Sequence, residues 1–256
     1  MAVRRWNEMN RRTLAKILPG AVTVVPTAAT EQHGPHLATG HDALILDEIV
    51  RRAGDCVASD IDVVVTPTLA FGSSDHHLPF GGTLSLGTET YLRVISDLLR
   101  SLVAAGTKRI LVVNGHGGNH ELNEIAVRDV AISLPAGQHV KMAAGSWWTI
   151  AAGTRANDAR FAGIRTPGHA GALETAMMLA FRPELVAADR PARENDPSLG
   201  TVIPGARIEG EVRWADFDGY TDSPALATAE LGEAALAIAA DALAGAIATL
   251  AYATVE

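Results

Sequence analysis

The sequence predicts an α/β fold: a three-layer α/β/α arrangement around a central, mostly parallel sheet. Three observations carry that prediction. Short, continuously apolar, β-branched runs recur along the chain, as expected of strands buried on both faces. Most are followed by a longer segment with apolar residues at helical spacing. The 256 residues, 48% hydrophobic and 20% charged, suffice for one sizeable core. Residues 1–256 therefore read as a single domain, with no internal repeat and no linker that splits them.

The elements follow in order. Residues 6–18 read as a helix, with Trp6, Met9, Leu14, Ile17 and Leu18 at helical spacing and Pro19-Gly20 as the stop. Residues 21–26 (AVTVVP) are the first strand, and residues 43–57 an amphipathic helix. Residues 62–66 (DVVVT) are the second strand. Residues 89–105 are a helix whose apolar face carries Leu92, Ile95, Leu98, Leu99 and Leu102. Residues 109–113 (RILVV) are the third strand, and residues 122–134 the next helix, with Asn119 a good N-cap at the predicted helix start. Residues 139–144 are the fourth strand. Trp147 and Trp148 follow it, and strand alternation turns one into the core and the other toward a site. Residues 170–181 are a helix, with Met177 and Met178 as core packing. Residues 190–220, with Pro191, Pro197 and Pro204, read as a long irregular excursion. Residues 225–250, rich in Ala and Leu, are a long buried C-terminal helix.

Composition excludes several function classes. The net charge of -8 leaves no basic surplus for nonspecific nucleic-acid binding. The one cysteine, Cys56, excludes a disulfide framework and any thiolate-rich metal site. The basic N-terminus lacks an apolar run behind it, and no segment approaches the roughly 20 apolar residues of a membrane span. The expectation is a cytoplasmic globular protein with no membrane partner.

In a parallel α/β sheet, ligands bind beyond the carboxyl ends of the strands. Eight of the nine histidines fall in four stretches, and three of these stretches follow predicted strands. They are Thr30-Glu31-Gln32-His33-Gly34-Pro35-His36 with His41-Asp42; Ser73-Ser74-Asp75-His76-His77; Asn114-Gly115-His116-Gly117-Gly118-Asn119-His120; and His169 with Glu174. Glu31 and His33, two apart on an extended segment, can point the same way. Asp42 can bridge two metals with one oxygen each, and His116 leaves its strand on a glycine-rich turn. Carboxylate and imidazole donors suit Zn²⁺, Mn²⁺ or Fe²⁺. Two such ions about 3.5–4 Å apart generate a hydroxide nucleophile and polarise a carbonyl.

Plainer readings stand beside these. Glu31 and His33 alone fit a hydrogen-bonded loop pair, and Glu174 a first-turn carboxylate favoured by the helix dipole. His36 and His41 fit outer positions or the surface, and His120 a capping or surface role. The NGHGGN loop lacks the GK[ST] ending of a phosphate cradle. On the functional reading, Glu174 completes a metal shell and His169 shuttles a proton. Ser73, His77, Trp148 and Arg165 are candidate substrate contacts, with Arg165 matched to a carboxylate or phosphate or simply solvated.

Together these motifs resemble the creatininase (creatinine amidohydrolase) family. Gly81-Gly82-Thr83-Leu84-Ser85-Leu86 and Ala227-Thr228-Ala229-Glu230-Leu231-Gly232-Glu233 extend the match over nearly the whole chain. The resemblance implies the α/β/α fold, one or two divalent ions (Zn²⁺ foremost, Mn²⁺ or Fe²⁺ otherwise) and a homo-oligomer, commonly a hexamer. It implies that Glu31, His33, Asp42 and His116 are ligands, that His169 is the catalytic histidine, and that Trp148 closes over substrate. Creatininase proper carries Tyr-Glu where this chain has Gly117-Gly118, so Glu174 stands as the replacement carboxylate or the second ion is weak. It also carries Trp-Asp-Ile-Glu where this chain has Arg165-Thr166-Pro167-Gly168, which argues against creatinine as substrate. The expected activity is metal-dependent hydrolysis of a C–N bond in a small amide, cyclic amide or formamide. The alternatives are trimming of a ribosomally made cofactor or natural-product precursor peptide, or a non-catalytic, metal-stabilised assembly protein.

Overall fold

The computed structural model describes residues 3–193 and 214–255. Five parallel strands form the sheet among them: β1 (Arg4–Arg5), β2 (Val22–Thr27), β3 (Val63–Val65), β4 (Arg109–Asn114) and β5 (Lys141–Ser146), in spatial order β1-β3-β2-β4-β5. The helices are α1 (Arg11–Ile17), α2 (His41–Cys56), α3 (Thr88–Ala104), α4 (His120–Ser133), α5 (Trp147–Ile150), α6 (Ala152–Ala156), α7 (Ala172–Phe181) and α8 (Ala229–Ala251).

Strand alternation sorts the core into two layers. Val22, Val24, Val63, Val65, Leu111 and Val113 face α2, α7 and α8. Val25, Ile110 and Val112 face α3 and α4, while Val64 packs with Leu18 near α1. Each fully buried Val, Leu or Ile contributes about 1.5–3 kcal/mol, so this two-sided burial explains why the strands are continuously apolar. The three-layer reading holds, and the sheet is parallel throughout the described residues.

Several local expectations need correction. The first helix does not run over 6–18: Trp6–Glu8 is a 3-10 turn, and α1 starts behind Asn10, whose side chain accepts from the Arg12 and Thr13 N–H groups. β1 carries no apolar signal, because its two residues are arginines on a sheet edge. On α3, Leu98 is exposed, and Tyr91, absent from the predicted face, is fully buried. Asn119 does not cap α4 with its side chain; it ties the Ser73 N–H to the Ala28 carbonyl. Residues 225–228 precede α8, which Thr228 caps through the Leu231 N–H.

α8 also overturns the expectation about apolar length. Its 23 residues are long and apolar enough to cross a membrane by composition. It instead packs against α2 and α7, with Leu236, Leu243 and Ile247 buried. Of the irregular excursion at 190–220, residues 194–213, including Pro197 and Pro204, lie outside the described residues.

Candidate metal centre

The carboxyl ends of β2, β3 and β4 open onto one cluster. The chain after β2 delivers Glu31 and His33, and the first turn of α2 delivers Asp42. The turn after β4 brings His116, and α7 opens with Glu174 just after His169. All six predicted ligand and catalytic residues are brought together here. Glu31, His33, Asp42, His116 and His169 are buried, and Glu174 is partly exposed.

The donors fall into two groups joined by Asp42. Asp42 Oδ2 lies 3.3 Å from His116 Nδ1, which is 3.2 Å from Glu31 Oε1. Asp42 Oδ1 lies 3.0 Å from His33 Nε2, which is 3.9 Å from Glu174 Oε2. Glu31, Asp42 and His116 form one constellation able to hold an ion, and His33, His41 and Glu174 another.

Backbone carbonyls set the imidazole tautomers. His116 Nε2 lies 2.9 Å from the Ser73 carbonyl, so Nε2–H donates there and Nδ1 is the nitrogen turned toward the carboxylates. His33 Nδ1 donates to the Glu31 carbonyl at 3.3 Å, leaving Nε2 toward Asp42. This outer arrangement is what metal-ligating histidines require. His33 Nε2 and Asp42 Oδ2 are buried and find no hydrogen-bond partner among the described residues. Orphaned buried acceptors are costly. His33 Nε2 sits 3.0 Å from Asp42 Oδ1 and Asp42 Oδ2 sits 3.3 Å from His116 Nδ1, so oxygen and imidazole donors converge as a divalent cation requires.

The electrostatics agree. Burial alone would raise the Glu31 and Asp42 carboxyls, but His116 beside Glu31 and His33 beside Asp42 hold both well below the usual range. Burial opposes charge on His33 and His116, yet Asp42 lifts His33 to about 9, and Glu31 holds His116 well above the ordinary histidine value. Both rings attract positive charge where a cation fits. Burial holds His169 well below its ordinary value and brings His77 down to about 3, so these two rings are neutral. Burial also raises the Glu174 carboxyl.

Glu174 is anchored by its own loop. The Ala170 N–H donates to Glu174 Oε2 at 2.6 Å, with Ala170 at a left-handed φ of 50°. Asp222 Oδ2 accepts the Ala172 N–H at the start of α7, and Thr221 Oγ1 accepts the His169 N–H at 3.0 Å.

The predicted substrate contacts divide. Trp148 and Arg165 line a small cleft beside Glu174, together with Trp147 and Asp222. The two tryptophans begin a helix rather than ending a strand; Trp147 is buried, Trp148 half-buried, and they meet edge to face. His77 is buried against the cluster, with Nε2 3.9 Å from Glu31 Oε1. Ser73 meets the site through its carbonyl; its hydroxyl lies near Thr88 Oγ1 instead. His41 packs on His33, and His36 bonds Thr175 Oγ1 behind the site. His120 bonds Ser146 Oγ at 2.7 Å.

Sequence reasoning passed over three residues. Ser74 is buried and donates to Glu31 Oε2. Gln32 bonds several groups around His77 and His169. Trp214 roofs both rings, at centroid distances of 4.7 Å from His77 and 5.2 Å from His169. A serine beside the histidine pair was a usable signal. Trp214 sits in an irregular segment with none.

Comparisons with known proteins agree with this geometry. The pattern described as creatinine amidohydrolase matches residues 6–247. The "Mycofactocin precursor peptide peptidase" of Mycobacterium ulcerans (strain Agy99) is 33% identical over 215 residues, 82% of this chain and 77% of that protein. The "Creatinine amidohydrolase" of Pseudomonas putida is 29% identical over 258 residues, 94% of this chain and 93% of that protein. A solved structure named "Creatininase Mn" superposes with a TM-score of 0.77 at 24% identity, covering 96% of this chain and 98% of that one. The chain belongs to the creatininase family of metal-dependent amidohydrolases.

Proposed function

We propose that this protein hydrolyses an amide C–N bond at a dinuclear metal centre, with Glu31, Asp42 and His116 holding one ion and His33, Asp42 and Glu174 the other. The observation that carries this reading is the placement of Asp42, which turns one oxygen toward each donor group. On this reading Glu174 supplies the carboxylate that Gly117-Gly118 cannot. Zn²⁺ is the first expectation, with Mn²⁺ or Fe²⁺ next. The donor chemistry supports all three.

When bound, the ions lower the pKa of water and polarise the scissile carbonyl. The chain does the rest. Trp148 and Arg165 orient the substrate from the cleft, Arg165 pairing with a carboxylate or phosphate on it. His77 and the Ser73 backbone lie on the inner side. His169, neutral and beside Glu31, takes a proton and returns it to the leaving nitrogen. The protein is read as a single domain over 1–256, cytoplasmic, acting as a homo-oligomer on the hexameric plan.

Two substrate classes remain in play. The expected one is a small amide, cyclic amide or formamide. The second is a precursor peptide, favoured by the 33% identity to a peptidase over 82% of this chain. The test is metal analysis of the purified protein, then turnover of a panel of small amides, lactams, formamides and short peptides with and without chelator. We expect up to two ions per chain and turnover that chelator abolishes. Glu31→Gln and His116→Ala should lower metal content. Metal-free active protein, or variants with normal metal content, would sink the proposal, and mass loss confined to peptides would decide for trimming.

A further inference from the structure

Gln32 sits between two candidate ligands, buried, and every polar group it owns has work to do. Its backbone N–H donates to Thr83 Oγ1 at 3.0 Å. Its side-chain Oε1 accepts the Gly34 N–H at 2.9 Å, which identifies Nε2 as the amide nitrogen. Nε2 lies 2.8 Å from His77 Nδ1 and 3.0 Å from the Gly219 carbonyl. The Gln32 carbonyl lies 2.9 Å from His169 Nε2. A Cβ at Gly219 would stand 2.3 Å from Gln32 Oε1, so glycine there is what admits the amide.

The amide carries two hydrogens and has a third neighbour, His169 Nε2, at 3.0 Å. Spending a hydrogen on His169 would take the His169 donor from the Gln32 carbonyl and the amide donor from Gly219. Donating to His77 and Gly219 instead lets His169 Nε2–H donate to the Gln32 carbonyl, and every group in the set is paired. Buried polar groups follow the fully paired arrangement.

We infer that Gln32 is a positioning residue that gives two stacked imidazoles opposite chemistry: His77 presents an Nε2–H to the site and His169 a bare Nδ1. The rings stack with centroids 4.1 Å apart. His77 Nε2 and His169 Nδ1 lie 3.9 Å and 3.6 Å from the same atom, Glu31 Oε1, so donor and base converge. Resting on the hydrolase reading above, His77 donates a hydrogen bond to the substrate carbonyl oxygen as charge builds there. His169 Nδ1 accepts a proton from the attacking water as the C–O bond forms. It then gives that proton to the nitrogen as the C–N bond breaks, and the ring ends neutral.

The test reads tautomers directly, by long-range ¹⁵N–¹H correlation on Zn²⁺-loaded protein labelled at histidine. Both His77 and His169 are expected as Nε2–H forms. Gln32→Met removes the amide but leaves the backbone carbonyl, so His77 should lose its single tautomer while His169 keeps its own. On whichever amide the panel above shows to be turned over, Gln32→Met should lower kcat on the order of 10²–10³-fold with KM little changed. His77→Gln, which retains an N–H donor, should keep more kcat than His77→Phe. Finding His77 as Nδ1–H in the unaltered protein overturns the inference, whether or not the variants fold. So does an unchanged His77 tautomer in Gln32→Met. The tautomers need no substrate: their presence without turnover of any amide upholds this assignment and overturns the hydrolase reading.

Discussion

At Gly118 the space for a side chain is already taken. A Cβ there would stand 2.1 Å from the Ser73 carbonyl oxygen and 2.6 Å from His116 Nε2, the two atoms of the bond that fixes the His116 tautomer. The carboxylate that creatininase proper carries in this turn therefore has no room in this chain. We predict that Gly118→Ala breaks the bond and weakens metal binding about 10–100-fold, the usual cost of losing an outer partner. A Zn²⁺ titration against a competing chelator checks it, and unchanged affinity would refute the structural reading of the turn. The candidate ligands Glu31, His33 and His116 were legible in the sequence because they fall past β2 and β4 in short polar motifs, and Asp42 and Glu174 because each is an acidic residue close to a histidine at a helix start. Gln32 and Ser74 were not, because common residue types acquire meaning only from the atoms that distant segments bring to them.

The elements hold these residues by close packing. A Cβ at Gly232 of α8 would stand 1.8 Å from the Ala176 carbonyl of α7, so the two helices touch backbone to backbone. Gly232→Ala should force them apart at about 1–3 kcal/mol, as overpacking does. It should also loosen the first turn of α7, which carries Glu174. Urea unfolding and metal content measured on the same sample separate the two effects. Helix α2 carries a different device. Arg51 hydrogen-bonds Glu48 and, against a partial cost of burial, Arg52 adds to it, holding the carboxyl below its ordinary value. A lowered pKa contributes stability above the unfolded-state value and loses it as pH falls through the folded one. Thermal melts should therefore place Glu48→Gln below the unaltered protein near neutral pH, with the gap closing in acid. A gap that stays constant would contradict this. Element types were readable from apolar period, but their faces were less so. The exposed Leu98 and the buried Tyr91 show why: Tyr91 reaches Asn123 with its hydroxyl, a polar bond that an apolar stripe does not count.

Across the whole molecule, acidic charge and metal demand are linked. Part of the -8 net charge is buried as carboxylates that face unpartnered or protonatable imidazole nitrogens. Removing the cations should therefore unsettle the fold itself. A ligand present at a hundred times its Kd stabilises by about 2.7 kcal/mol. For a chain of this size that is roughly 5–10 °C in Tm. Scanning calorimetry with and without chelator, with recovery on adding Zn²⁺, measures it, and a Tm indifferent to chelator would refute the coupling. The parallel sheet was legible because strands buried on both faces announce themselves. The edge strand of two arginines and the roof formed by Trp214 were not, since neither carries a local pattern.

The candidate ligands and the cleft come from different parts of the chain. Glu31, His33, Asp42 and His116 leave β2, the start of α2 and β4, whereas Trp148, Arg165 and Asp222 wall the cleft from segments farther along; among the described residues, Glu174 alone belongs to both. Trp148 and Arg165 are thereby free to change apart from the donor cluster, whereas Asp222, which accepts the Ala172 N–H at the start of α7, is tied to it. On the function proposed above, a lineage built on this plan can trade one substrate for another by altering a few loop residues while its donor cluster passes on intact.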